Sequence, residues 1–155
     1  MTRKFHRRHV IWTAAAAVLA SLPAAPAFAA GYEAQLDPTP FDATNRADVI
    51  ESIGNLTATL EGSSLTVRGT FSNFTSPATG GSFRIGLAKG VPGDAIGSLT
   101  VEHARQGSFS GTIKLTSAQM AALKREALYV RIDSEKAPDG NVQGWLEASG
   151  KDHVS

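Results

Sequence analysis

Apolar residues recur at every second position over most of this chain, which is the spacing of strands with one buried face. Asn55-Leu56-Thr57-Ala58-Thr59-Leu60 alternates, with Leu56, Ala58 and Leu60 on one side. After the turn residues Glu61 to Ser64, Leu65 to Phe71 alternates again, with Leu65, Val67, Gly69 and Phe71 inward. Two such runs around a short Gly-containing turn predict a hairpin. Tyr32 to Leu36 predicts a short first strand, and Asp37 to Asn45 a proline-containing loop. After a loop over Ser72 to Gly81, Ser82 to Leu87 places Phe83, Ile85 and Leu87 on one face, and Lys89 to Asp94 punctuates the chain. Ala95 to His103 and Ser108 to Leu115 predict a further hairpin. The last pairs Leu128–Ile132 with Asn141–Leu146 across a Pro-Asp-Gly turn.

One segment breaks the two-residue period. Thr116-Ser117-Ala118-Gln119 has the form of a capping box, in which the threonine hydroxyl takes an amide proton and the glutamine reaches back. Met120, Leu123 and Lys124 follow at helical spacing, so a short helix is expected over about 117–125. Short alternating strands at this spacing, with one helix, predict an all-β fold: an antiparallel, Greek-key-like β-sandwich or barrel.

The first residues follow a different pattern. Met1 to Val10 carries Arg3, Lys4, Arg7 and Arg8 and no acid. Ile11 to Leu22 is apolar and alanine-rich, and Pro23 to Ala29 supplies small residues around an Ala-x-Ala site. This three-part order is that of a cleavable secretory signal peptide over residues 1–29, with cleavage after Ala29 or Ala30. The apolar run is about a dozen residues, short of the roughly 20 needed to span a bilayer, so an N-terminal anchor is the weaker alternative. Arg7-Arg8 also fits a loose twin-arginine pattern, leaving two export routes open. Residues 30–150 then form one β domain, with 151–155 as a tail.

Removing the signal changes the charge. The whole chain has a net charge of +1, but without the four basic residues of the leader, eleven Lys and Arg face fourteen Asp and Glu, a net charge of −3. A mildly acidic, mixed surface argues against nucleic acid and against anionic membrane surfaces as partners. There is no cysteine. That excludes thiol catalysis, cysteine metal sites and c-type haem attachment, and it leaves stability to packing.

Four stretches of this chain together resemble the CHRD (chordin) domain, an extracytoplasmic β-domain family. They are the opening strand Tyr32–Leu36, the hairpin Leu56–Phe74, the region Phe83–Asp94, and the C-terminal run. In that run Leu115-Thr116, Gln119–Leu123, Leu128-Tyr129-Val130 and Gln143-Gly144-Trp145-Leu146 keep the frame of the family's helix, strand, turn and strand. The resemblance implies a β domain outside the cytoplasm. It also implies a polar cluster that this chain lacks. Phe83 and Ile85 stand where the family's His-x-His strand would place imidazoles, Asp133 where a third histidine is common, Gln143 for a basic residue and Trp145 for a glutamine. A phenyl and a sec-butyl group coordinate nothing, so the superoxide-dismutase-like chemistry that a Greek-key barrel can support is disfavoured here.

Few constellations remain. His103 and His153 lie far apart with no His-x-His or Glu-x-x-His partner, so no metal site and no cofactor are expected. Asp133, Glu135 and Asp139 flank one turn and could collect Ca²⁺, but the alternating ligands and terminal glutamate of a calcium loop are absent. Ser108 and Ser110 lie in a strand pattern without a nucleophile elbow, so no catalytic residue and no enzyme activity are expected. Asn55-Leu56-Thr57 and Asn73-Phe74-Thr75 have the form of glycosylation sequons, read here as chance beside a bacterial-looking signal. On the last hairpin, Arg131 and Asp133 share one strand face, and Gln143 and Trp145 share a face of its partner. These four are the candidate binding residues, against the reading of an ordinary surface cluster.

The leading expectation is an exported, non-catalytic binding or accessory module whose partner is another envelope or secreted protein. A ligand or metal binder using carboxylates around Asp133 is the first alternative, and an unrecognised small hydrolase or redox enzyme the second. The pattern is silent on oligomeric state.

Overall fold

A computed structural model describes residues 29–150, so nearly all of the signal segment and the tail over 151–155 lie outside the described residues. The elements are β1 (Ala30–Pro38), α1 (Arg46–Val49), β2 (Ile53–Glu61), β3 (Ser64–Ser72), β4 (Ala78–Ile85), β5 (Asp94–Val101), β6 (Gly107–Lys114), α2 (Ser117–Lys124), β7 (Leu128–Ser134), β8 (Val142–Trp145) and the two-residue β9 (Glu147–Ala148).

Strands β2-β3-β6-β5-β4-β7-β8-β1 are neighbours in that order, and β1 also pairs with β2, so eight antiparallel strands close into a barrel. Closure abolishes the sheet edges that would otherwise template aggregation. β1 is the closing strand: residues 30–36 run against β2, while Asp37 and Pro38 pair with Gln143 and Val142 of β8. β5 bends in a comparable way, pairing through residues 94–99 with β4 and through Thr100 and Val101 with β6. The connections from β3 to β4 and from β6 through α2 to β7 skip over neighbouring strands, which makes the path a Greek key.

The alternation seen in the sequence decides what fills the barrel. Leu36, Leu65, Val67, Phe83, Leu128, Val130, Ile132, Val142 and Leu146 are fully enclosed. Burial of each such side chain contributes about 1.5–3 kcal/mol relative to exposure. Gly144 occupies an inward position opposite Val130, where a Cβ would collide with the Gln35 carbonyl and press on Leu36. The missing side chain is what lets β1 close against β8.

The barrel, the first and last hairpins and the helix are as expected from the pattern, and the capping box of α2 is formed in both directions by Thr116 and Gln119. Of the hairpin expected between 95–103 and 108–115, only Thr100 and Val101 pair with β6, because residues 94–99 run against β4. The differences are local. β4 starts earlier than expected, at Ala78, and ends at Ile85, so Leu87 is not inward but 86% exposed. The cause is the pair Gly86 and Gly93: a Cβ on the first would overlap the Val91 carbonyl and one on the second the Ile85 carbonyl. The chain pinches into a loop there, and the apolar run cannot continue as a strand. A second helix, the single turn α1, follows the proline-containing loop, and β9 adds a short pairing to β1 at Tyr32 and Glu33.

Candidate functional site

Side chains that alternate away from the core on β4, β7 and β8 fall into cross-strand rows on the outside of the barrel. The register sets Arg84 beside Tyr129 and Tyr129 beside Trp145. The next row is Ser82, Arg131 and Gln143, followed by Asp37 of β1, and Asp133 pairs with Gly80 beyond it. All four residues expected from the sequence therefore share one face. Each is half-buried, because two loops fold over the strands.

The first loop spans residues 86–93 and is fastened by Tyr129. The phenol accepts a hydrogen bond from the Gly93 amide at 2.9 Å and donates to the Gly93 carbonyl at 3.2 Å. Arg84 reinforces the same point, its Nε donating to the Gly93 carbonyl at 3.0 Å and to the Tyr129 oxygen at 3.2 Å. Tyr129 is consequently only 1% exposed although it faces away from the core. Its ring stacks on Trp145 with centroids 4.7 Å apart and planes at 24°, an offset-stacked distance at which an aromatic pair adds about 0.5–1.5 kcal/mol beyond its burial.

The second loop, residues 135–141, is fastened from below by a buried polar network. Asn141 is fully enclosed; its Nδ2 donates to Ser52 Oγ at 2.6 Å, and its Oδ1 accepts from Ser134 Oγ at 2.7 Å. Thr39 Oγ1 donates to the Gly140 carbonyl at 2.7 Å. These bonds carry the loop across Arg131, whose Nε and Nη2 donate to the two carboxylate oxygens of Asp133 at 2.7 and 3.3 Å. Burial raises the Asp133 carboxyl above its ordinary value, against the opposing pull of Arg131 and Arg84.

Between the loops lies a cleft of about 330 Å³ lined by Arg84, Tyr129, Arg131, Gln143, Lys136 and Asp139 among others. A neighbouring cleft of about 360 Å³ runs over Trp145, Phe41 and Lys89. Lys89 bridges Glu147 and Glu126 there, and Trp145 Nε1 is buried without a hydrogen-bond partner among the described residues.

Arg84 is the site residue that the sequence reading passed over. The alternation already placed it outward, since Phe83 lies in the core and Ile85 packs against it. No motif in the sequence singles it out. The outward positions of β4 are 82 and 84, so a pair of polar ligands reaching solvent from this strand would stand there, and here they are serine and arginine. The turn acids do not converge. Asp133 is held by Arg131, Glu135 lies 3.5 Å from His103 Nε2, and Asp139 lines the cleft. His103 sits beyond the end of β5, its Nδ1 2.8 Å from the Ala78 carbonyl. No group of three or more His, Asp or Glu able to hold a metal occurs among the described residues.

Residues 32–146 match the CHRD domain. The chain belongs to the CHRD domain family. The match spans the whole barrel from β1 to the end of β8, so both loops and the rows beneath them lie inside the CHRD domain. The family is one of non-enzymatic domains. No curated protein and no solved structure matches the chain.

Proposed function

We infer that this CHRD domain is an exported, non-catalytic binding or accessory module of the cell envelope, and that it works through the loop-covered face of β4, β7 and β8. The observation that carries the reading is the composition of that face. Half-buried arginines, a carboxylate and a stacked Tyr–Trp pair gather there, and Trp, Tyr and Arg are the residues that dominate binding energy at interfaces. The leader pattern of residues 1–29 supports export. The partner class is another envelope or secreted protein.

The test is a comparative capture with the tagged mature chain, residues 30–155, from envelope extract. One variant alters the loop-covered face (Gln143→Ala with Trp145→Ser), and another alters the opposite face (Thr57→Lys with Thr66→Lys). Loss of the captured protein with the first and retention with the second is expected. The reverse pattern, or capture no better than with an unrelated exported domain, contradicts the reading.

A further inference from the structure

Arg84 is a half-buried guanidinium with no carboxylate within ion-pair distance among the described residues. Its bonds go to neutral acceptors: the Gly93 carbonyl, the Tyr129 oxygen and, at 3.5 Å, Ser82 Oγ. Asp133 acts on it only through its longer-range field, so Arg84 is a partly desolvated cation with no directly paired counter-ion, an arrangement that an added anion improves. The other cations lining the cleft are matched. Arg131 is held by Asp133, and Lys136 Nζ lies 3.4 Å from Asp48 Oδ1.

The remaining donors point to where that anion sits. Arg84 spends Nε and Nη1 on protein acceptors, and Arg131 spends Nε and Nη2. Arg84 Nη2, Arg131 Nη1 and the Gln143 amide have no hydrogen bond among the described residues and are not buried, and all three residues line the cleft of about 330 Å³. Pro40, Pro92 and Pro138 give the same cleft an apolar wall. Asp139 on its rim and Asp37 beyond Gln143 make it a poor place for a doubly charged group.

We propose that the cleft between the 86–93 and 135–141 loops binds a small organic carboxylate, with the carboxylate on Arg84, Arg131 and Gln143 and its apolar part against the three prolines. One negative charge completes the pairing of Arg84, and an arginine fork suits the planar carboxylate. The proposal names a ligand class for the face assigned above and rests on that assignment.

Trp145 is the single tryptophan of residues 30–155 and stacks on Tyr129, so its emission reports on the cleft. The mature chain is titrated with the monocarboxylates benzoate and butyrate, and with phosphate and chloride at matched ionic strength. Saturable emission changes with the carboxylates alone are expected, weakened about tenfold or more in Arg84→Gln and only partly in Arg84→Lys. Circular dichroism and thermal melting establish that both variants are folded; if Arg84→Gln is not, Gln143→Ala replaces it with the same expectation. An equal response to chloride or phosphate, no response to any carboxylate, or full affinity in a folded variant overturns the proposal. If carboxylates fail to bind while the face variants still lose the captured envelope protein, the ligand assignment falls and the binding-module reading stands. Failure of both removes the face as a working surface.

Discussion

Two outer faces of one barrel are built from opposite materials. Over β1, β2, β3 and β6 the cross-strand rows are mostly small and hydroxyl-bearing: Thr59 beside Thr66 beside Thr112, then Glu33, Thr57, Arg68 and Ser110, then Gln35, Asn55, Thr70 and Ser108. Thr66 and Thr112 share a hydroxyl hydrogen bond of 3.1 Å. A groove of about 1130 Å³ runs along this face, larger than either cleft on the other side, but it is wide and has Glu33, Glu102 and Glu147 rather than a cation as its charges. Glu102 is already engaged by the Ser108 amide and hydroxyl. Over β4, β7 and β8 the same alternation presents arginines, a carboxylate and two stacked aromatics beneath two fastened loops. The first face has the β-branched, hydroxyl-rich make-up that favours a solvated sheet. The second keeps charges partly out of water and spends a buried network on holding loops over them. The larger hollow is not the more specialised one.

The sharpest way to break the comparison is to unfasten a loop. Asn141→Ala leaves the Ser52 and Ser134 hydroxyls without their shared partner, and a buried unsatisfied polar group costs about 1–3 kcal/mol. Denaturant unfolding is expected to register a loss of about 3 kcal/mol. Tyr129→Phe keeps the stack on Trp145 but removes both bonds to Gly93, for an expected loss of about 1 kcal/mol. Hydrogen exchange of residues 86–93 is expected to quicken in that variant while β2 and β3 stay unchanged.

Asp133→Asn sharpens the electrostatic half of the contrast. The native carboxyl holds its proton more tightly than in the unfolded chain, so its ionisation opposes folding. That penalty is absent below the unfolded value of about 4, grows as pH rises past it, and is complete above the raised native value. Melting temperatures measured from pH 3.5 upward are expected to move in favour of Asp133→Asn relative to wild type through the mildly acidic range. A difference independent of pH would contradict the assignment. The smallest effect belongs to the open face: Thr66→Ala removes an exposed cross-strand contact, and its cost by chemical denaturation is expected to be about 0.5 kcal/mol or less.

The barrel was legible because its determinants are local. Alternation at Leu56–Leu60 and Leu65–Phe71 specifies buried faces, and Thr116 with Gln119 specifies a helix start. The same reasoning placed Arg131, Asp133, Gln143 and Trp145 on one face, since strand parity needs no knowledge of the fold. What the sequence hid depends on contacts between distant segments. Leu87 reads as the next inward residue until the close approach of Gly86 to Val91 turns the chain. Tyr129 reads as a surface residue until Gly93 is fastened onto its hydroxyl. Arg84 becomes a site residue only when β4 lies beside β7, forty-five positions away along the chain. The single turn α1 is too short to leave a periodic signal of its own.

The central claim is that the loop-covered face is the working surface. Hydrogen exchange by mass spectrometry on residues 30–155, free and bound to the envelope protein proposed as the partner, is the decisive experiment. Slowed exchange concentrated in residues 84–93 and 129–145, with 55–72 and 108–112 unchanged, is the result this account predicts. Protection confined to β2, β3 and β6 would contradict it.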